Sequence, residues 1–174
     1  MTTKKIEKKE EIAVEPRFIA DCMLGTLAKR LRLMGYDTLF FNRIEDEELV
    51  ETAIREDRII LTRDSGLLRR KAVQKSIFVD SDDLEAQVNK VIRECGLKSD
   101  EDKLMSRCLI CNTRLISLNK KEVIGRVPPF IFLRHSRFNY CSGCNRIYWK
   151  GSHMEDTVKI KVETQDKTGD GKNI

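Results

Sequence analysis

The chain has 174 residues, 40% hydrophobic and 35% charged, with a net charge of +5 and a mean hydropathy of −0.43. That is room for one ordinary domain, or one domain and a small module. No apolar run approaches the roughly 20 residues needed to cross a bilayer, so no membrane partner is expected. The charge is unevenly spread: residues 17–95 carry 14 basic and 15 acidic residues, whereas residues 108–150 carry 8 basic residues and one acid, Glu122. A near-neutral unit is thus joined to a strongly basic one. Such a basic patch is the usual footprint of a polyanion partner, with a merely solvated basic face as the alternative.

In chain order, residues 1–16 (MTTKKIEKKEEIAVEP) mix both signs, lack an apolar signal core and read as a disordered arm. Secretion is not expected, and the location expected is cytoplasmic. RFIA is a short apolar strand ending at Asp21. LGTLAKRLRLMG places Leu24, Leu27, Leu31 and Met34 on one helical stripe, with Gly35 as the stop. DTLFF is a second strand, and EDEELVETAIRED a helix with an acidic first turn and Leu49, Ala53 and Ile54 inward. RIILT, SGLLRRKAV, SIFVD and DDLEAQVNKVIREC continue as strand, helix, strand and helix, the last turning Leu84, Val88, Val91 and Ile92 inward. The βαβαβαβα order over residues 17–95 predicts a parallel sheet with helices on both faces. Residues 96–107 read as a polar linker, 108–155 as a second module and 156–174 as a solvated tail.

In open parallel sheets, ligands sit beyond the carboxyl ends of the strands. Asp21 follows the first strand, Asp64 the third, and Asp80 and Asp82 the fourth, while Asp46 opens the second helix near the same edge. Carboxylates crowded on one rim raise each other's pKa unless a cation lies between them. A hard ion such as Mg²⁺ takes oxygen ligands and substrate phosphates, and can activate water for attack on a phosphodiester. Lys29, Arg30, Arg32, Arg69 and Arg70 on nearby helices are candidates to hold the polyanion. Each acid also has a structural reading: Asp64 and Asp82 are good helix N-caps, and Asp46 complements a helix dipole.

The cysteines of the second module form two C-x₂-C pairs, Cys108/Cys111 and Cys141/Cys144, separated by 29 residues. Four thiolates in two knuckles predict a closed tetrahedral Zn²⁺ site, structural rather than catalytic, in a ribbon with a long hairpin between the knuckles. A redox C-x₂-C needs one pair at a helix start beside a βαβ unit, and neither fits. Arg126, Arg134, Arg137, Arg146 and Lys150 supply the positive field expected to draw RNA. Tyr148 and Trp149 either stack on bases or cover the ribbon's core. His135 and His153 either help hold phosphate or are structural.

The segments RFIADCMLGTLAKRLRLMGYDT, DEELVETAIREDRIILTRD and RCLICNTRL…RVPPF…CSGCNRIYWKGSH resemble the PIN-like nuclease domain found at the C-terminus of the Mut-seven type of 3′–5′ exonuclease and as a stand-alone prokaryotic protein. The resemblance spans about residues 17–155. It implies an α/β fold, a PIN-like parallel sheet flanked by helices and followed by a small four-cysteine zinc ribbon. It also implies a divalent-metal-dependent ribonuclease using Mg²⁺ or Mn²⁺. Matched residue by residue, the family acids fall on Asp21, Asp46 (with Glu47 as the alternative), Asp64, and Asp82 (with Asp80 and Asp83 as alternatives). A non-catalytic RNA-binding or assembly module on the same scaffold is the second expectation, because a fold alone does not establish activity. A dinucleotide-binding protein is disfavoured, since no G-x-G-x-x-G follows the first strand.

Overall fold

The computed structural model describes residues 15–98 and 100–151; most of the 1–16 arm, His153 and the 156–174 tail lie outside the described residues. The first unit runs β1 (Phe18–Ala20), α1 (Gly25–Leu33), β2 (Thr38–Phe40), α2 (Asp46–Arg55), β3 (Ile59–Thr62), α3 (Ser65–Leu68), β4 (Ser76–Phe78) and α4 (Leu84–Cys95). Its four strands are parallel, in the order β2-β1-β3-β4.

Alternation along the strands divides the core in two. Phe18, Ala20 and Leu61 pack with Leu24, Leu27 and Leu31 of α1 and Val88 and Val91 of α4. Ile19 and Ile60, one residue out of phase, pack with Leu49, Val50 and Ala53 of α2 and Leu67 of α3. Buried strands covered on both faces explain why β1 and β3 read as unbroken apolar runs rather than alternating ones.

Two local expectations are corrected. The helix expected over 65–73 stops at Leu68, because Leu67 is its one buried residue and no apolar stripe carries it further; the amides of Arg69 and Arg70 close it on the carbonyls of Gly66 and Leu67. Ile54, expected inward, is 52% exposed near the end of α2, and Val50 takes the buried position instead.

Residues 96–107, expected to be a linker, form a packed connection. Leu97 joins the first core, the Tyr36 hydroxyl donates to the Lys98 carbonyl at 2.8 Å, and the Met105 amide to the Leu33 carbonyl at 2.9 Å. Gly35, with φ of 94°, lies under this crossing; a Cβ there would stand 2.5 Å from the Lys103 carbonyl oxygen. Both the left-handed turn and the close approach require glycine.

The second module is an antiparallel sheet of β5 (Ile116–Leu118), β6 (Phe138–Tyr140) and β7 (Ile147–Trp149), in that order. The stretch between the knuckles is more than a hairpin: a 3₁₀ turn at Lys120–Val123 and α5 (Pro129–Arg134) lie between β5 and β6. Its own core is small, with Val123, Ile131 and Phe138 buried and Trp149 and Ile147 packed against them.

Candidate active site and metal centre

The strand order puts a topological switch point between β1 and β3: the chain leaves β1 toward β2 on one side and returns to β3 on the other. Crevices for ligands open at such points, outside the carboxyl ends of the strands. Asp21 stands directly at this one. It is 8% exposed, and its backbone amide continues the sheet to the Leu61 carbonyl at 3.0 Å. Its Oδ2 accepts from the Thr62 hydroxyl at 2.5 Å and the Arg63 amide at 2.9 Å, and its Oδ1 from the Met23 amide at 2.8 Å. A carboxylate has about four lone-pair positions, so these three bonds fix its orientation and leave one position on Oδ1.

Asp64 lies next to it on the β3 side. Its Oδ1 caps α3 by accepting from the Gly66 amide at 2.6 Å, and its own amide donates to the Thr62 hydroxyl oxygen at 2.9 Å. The N-cap reading of Asp64 is therefore realised, and among the described residues its Oδ2 takes no hydrogen bond. Thr62 lies between the two residues, since its hydroxyl donates to the Asp21 carboxylate and accepts from the Asp64 backbone amide.

The other two acids are held by arginines. Asp46 opens α2 as expected, and Arg70 donates to its Oδ2 at 2.8 Å and to Glu47 Oε1 at 2.6 Å. The Arg70 guanidinium, through its hydrogen bond first and its charge second, holds the Glu47 carboxyl below its ordinary pKa. Asp82 pairs with Arg63 at 2.6 Å. It is not a cap: α4 begins at Leu84, one residue later than that reading needs, so Asp83 caps it by accepting from the Ala86 amide at 2.8 Å. Asp80 pairs with Lys90 at 2.9 Å. All these acids follow strand ends or open helices on one edge. Among the described residues, however, their oxygens are not drawn together as the cysteine sulfurs are.

Oxygen is the donor type a hard divalent cation takes: Asp21 is held by three hydrogen bonds, while Asp46 and Asp82 are paired with Arg70 and Arg63. Arg32 departs from the expected polyanion-binding set. It is 3% exposed and directed into the protein, as described below.

The sulfurs of Cys108, Cys111, Cys141 and Cys144 lie within 4.8 Å of one another. Cys108 and Cys144 are 3.5 Å apart, and Cys111 and Cys141 3.3 Å. Thiolates about 2.3 Å from one zinc ion stand about 3.8 Å apart, so this quartet can hold zinc with no position left for substrate. Burial pushes the Cys108 thiol up, but hydrogen bonds from the Tyr148 hydroxyl and the Cys111 and Ile110 amides outweigh it and bring the thiol down to about 6. Burial, together with the hydrogen bonds to Cys108 and Cys141, pushes Cys144 up to about 12. Four crowded thiols cannot all ionise alone, and a divalent cation removes that conflict.

The Mut7-C RNAse domain family model matches residues 16–161, most of the chain. The chain belongs to this family. No curated protein and no solved structure gave a match. Membership makes RNA the implied substrate class and a nuclease role the coarse function.

In this Mut7-C chain the two C-x₂-C knuckles are built alike. Each closes with an asparagine in the left-handed region: Asn112 (φ 66°) donates its amide to the Cys108 carbonyl at 3.0 Å, and Asn145 (φ 60°) to the Cys141 carbonyl at 2.9 Å. The repeat is written in the sequence as CLICN and CSGCN. Asparagine is the residue, after glycine, that tolerates this backbone.

The first knuckle docks on the sheet's edge. Arg32 donates from Nε to the Thr38 carbonyl at 2.8 Å and from one guanidinium nitrogen to the Leu109 and Ile110 carbonyls, both at 2.9 Å. Asn112 accepts from the Thr38 amide at 3.1 Å and donates to Asp37 at 2.8 Å. Asp37 also binds Arg58 at 2.6 Å and Arg107 at 3.2 Å. The open edge of β2 is thereby covered. Burial lowers the Arg32 pKa, while the nearby Cys108 and Cys111 charges raise it.

The five expected RNA-contacting residues, Arg126, Arg134, Arg137, Arg146 and Lys150, are all exposed, and none makes a salt bridge among the described residues. Arg126 lies over the Tyr140 ring at 5.0 Å. Tyr148 and Trp149 are half-buried: the Tyr148 hydroxyl is 3.1 Å from Cys108 Sγ, and Trp149 packs on the module's core, its ring centroid 6.5 Å from that of His135.

Proposed function

We propose that the chain is a divalent-metal-dependent ribonuclease that cuts RNA phosphodiesters at the edge of the parallel sheet, with its cysteine module as a zinc ribbon that binds RNA. The observation that carries this reading is the rigidly held Asp21 carboxylate at the β1/β3 switch point, with Thr62 between it and the Asp64 backbone amide. Asp21, Asp46, Asp64 and Asp82 would hold a magnesium or manganese ion, which supplies an activated water and neutralises charge on the phosphodiester.

The protein's own groups do the positioning. Thr62 and the Arg63 and Met23 amides keep Asp21 in one rotamer, so its free lone pair stays aimed. Arg63 and Arg70, freed from Asp82 and from Asp46 and Glu47, are placed to meet the phosphates that approach those acids. Lys29 and Arg69 add exposed positive charge on the same unit. A cytoplasmic location suits four free thiols, because a reducing compartment keeps them available to zinc. No described helix is long and apolar enough to cross a membrane.

Asp64→Asn is the cleanest test, since asparagine caps a helix as well as aspartate does and the fold is preserved. Cleavage of labelled RNA in Mn²⁺ is expected to fall roughly 100-fold or more, as for loss of a charge-stabilising group, with RNA affinity kept. Cleavage at the wild-type rate overturns the mechanism. The second reading, a non-catalytic RNA-binding module, is favoured by the arginine pairs that occupy Asp46 and Asp82. It is the correct one if the wild-type chain binds RNA but cuts none with Mg²⁺ or Mn²⁺.

A further inference from the structure

The 43 residues from Cys108 to Lys150 hold a face that neither the acids nor the cysteines use. Phe130 and Leu133 of α5 are 61% and 76% exposed, and Ile124 nearby in sequence is 65% exposed. Positions 130, 133 and 134 are three and four apart, so Phe130, Leu133 and Arg134 share one side of the helix, while Ile131 is turned into the core. Pro128 and Pro129 open α5, and Pro129 sits in its first turn, where the ring stiffens the chain. The face therefore rests on a rigid support rather than a floppy loop.

Exposed apolar groups in a module with eight basic residues and one acid point to an amphipathic ligand rather than to a greasy one. The lone acid is itself engaged, because Glu122 accepts from the Asn119 amide at 2.7 Å. The module also already pairs cations with rings: Lys120 lies 4.8 Å over Phe132, and Arg126 5.0 Å over Tyr140. Among the described residues Phe130 is a ring of this module with neither a cation nor another ring against it. Arg134, four residues on and on the same side of the helix, makes no salt bridge among the described residues and is exposed. An exposed ring with the exposed guanidinium of Arg134 on the same side of the helix matches an unpaired base and its adjoining phosphate, and stacking on such rings is sequence-tolerant.

We propose that Phe130, supported by Leu133 and with Arg134 on the same side of the helix, is a base-stacking platform that selects single-stranded RNA. This rests on the reading of the basic module as an RNA-binding ribbon and goes beyond it, by assigning strand selectivity to one exposed ring. A paired base in a duplex has both faces occupied by its neighbours, so the platform gains nothing from it.

The experiment uses the full zinc-loaded chain without added Mg²⁺ or Mn²⁺, and fluorescence anisotropy of labelled oligonucleotides of one length: single-stranded, double-stranded, and single-stranded with abasic sites. Phe130→Ala is expected to weaken binding of the base-bearing single strand about tenfold, the size of one lost base–aromatic stack. The same change should move duplex and abasic affinities less than about twofold, since the phosphate contacts made by the arginines remain. Phe130→Trp should restore the single-strand affinity. Phe130 is exposed, so unchanged thermal melting is the control for folding.

Equal weakening on all three oligonucleotides, or none on the single strand, overturns the platform. Unchanged RNA affinity with a lowered sedimentation coefficient for Phe130→Ala assigns the face to a second copy of the chain, and also overturns it. Cleavage is scored separately in Mn²⁺: a chain that cuts RNA normally but shows no Phe130 effect loses only the platform, whereas one that binds single strands through Phe130 and never cuts loses only the nuclease reading.

Discussion

The sheet unit and the cysteine module differ in what they bury: the first has a two-sided apolar core, the second a small core beside a cluster of four cysteines that can hold zinc. Residues 17–95 bury two apolar clusters, one on each face of the sheet, with Phe18, Leu27, Leu31 and Leu61 at 0% exposure. The module buries Val123, Ile131 and Phe138 and leaves Ile116, Ile124, Phe130 and Leu133 in solvent. Three buried side chains do not offset the conformational entropy of more than 40 ordered residues. What remains is the cysteine quartet and the docked edge around Arg32, Asp37 and Asn112. The module is therefore expected to depend on both, and the sheet unit on neither to the same degree.

Removal of zinc should break the comparison open most strongly. Binding to a four-thiolate site is worth roughly 10–16 kcal/mol in small zinc-folded peptides, and in such modules it is the folding energy. Chelation, or Cys111→Ser, should abolish hydrogen-exchange protection over β5, β6 and β7 while β1 and β3 keep theirs. Equal loss in both regions would mean that the two fold as one unit, and full protection in the chelated module would mean that its apolar core suffices.

Arg32→Met comes next. The replacement fills similar space but leaves the carbonyls of Thr38, Leu109 and Ile110 without their donor. Hydrogen bonds to a charged group are worth about 1.5–3 kcal/mol each, and a stranded buried acceptor costs more than an exchanged one, so a loss of about 3 kcal/mol is expected in denaturant unfolding. Because the guanidinium also faces the cysteines, zinc affinity should weaken with it. A variant with wild-type zinc affinity would separate docking from metal binding.

Asp37 gives a pH handle on the same contact. Burial alone would raise its pKa, but hydrogen bonds from Arg58 and Asn112, with the charges of Arg58 and Arg107, outweigh it and hold the carboxyl below the usual range. A depressed folded-state pKa means that the unfolded chain binds more protons. The contribution is therefore complete above an ordinary aspartate pKa of about 4 and is lost as pH falls through the lower folded value. Urea midpoints of the wild type should drop below about pH 4 more steeply than those of Asp37→Asn, which lacks the titrating group. Parallel acid limbs would show that other carboxylates, or proton release of zinc, govern acid unfolding.

The parts of this architecture that were legible in the sequence share a cause: they follow from local pattern. Apolar runs of three or four residues separated by helical stripes gave the parallel sheet, and strand ends gave the edge on which Asp21, Asp46, Asp64 and Asp82 stand. Two C-x₂-C pairs gave the quartet. What was misread depends on partners distant in sequence. Arg32 looks like any basic residue on an amphipathic helix until carbonyls 77 and 78 residues away turn it inward. The helix over 65–73 was overextended because LLRRKAV is a good helical string, whereas Arg70 is drawn to Asp46 and Glu47 across the sheet edge. Asp82 and Asp83 are neighbours with equal capping propensity, and the choice between them rests on where the first turn of α4 meets the core.

The smallest effect sharpens the comparison within the module, because the two knuckles have the same backbone and different surroundings. Asn112 and Asn145 both hold positive φ and both close a C-x₂-C turn. Glycine accepts that backbone without strain, so a change to glycine removes the side chain and little else. Among the described residues, the exposed Asn145 side chain accepts only from the Tyr140 hydroxyl at 2.6 Å, and Asn145→Gly should lie within about 0.5 kcal/mol of the wild type, as surface changes usually do. At Asn112 the side chain bridges Thr38 and Asp37 across the buried edge, and Asn112→Gly should cost about 2 kcal/mol, two partly buried hydrogen bonds at about 1 kcal/mol each. The difference between the two unfolding free energies reads the docking contribution with the turn held constant. If both substitutions cost the same, the asparagines serve the knuckle alone, and the module rests on the sheet through Arg32 and Arg107.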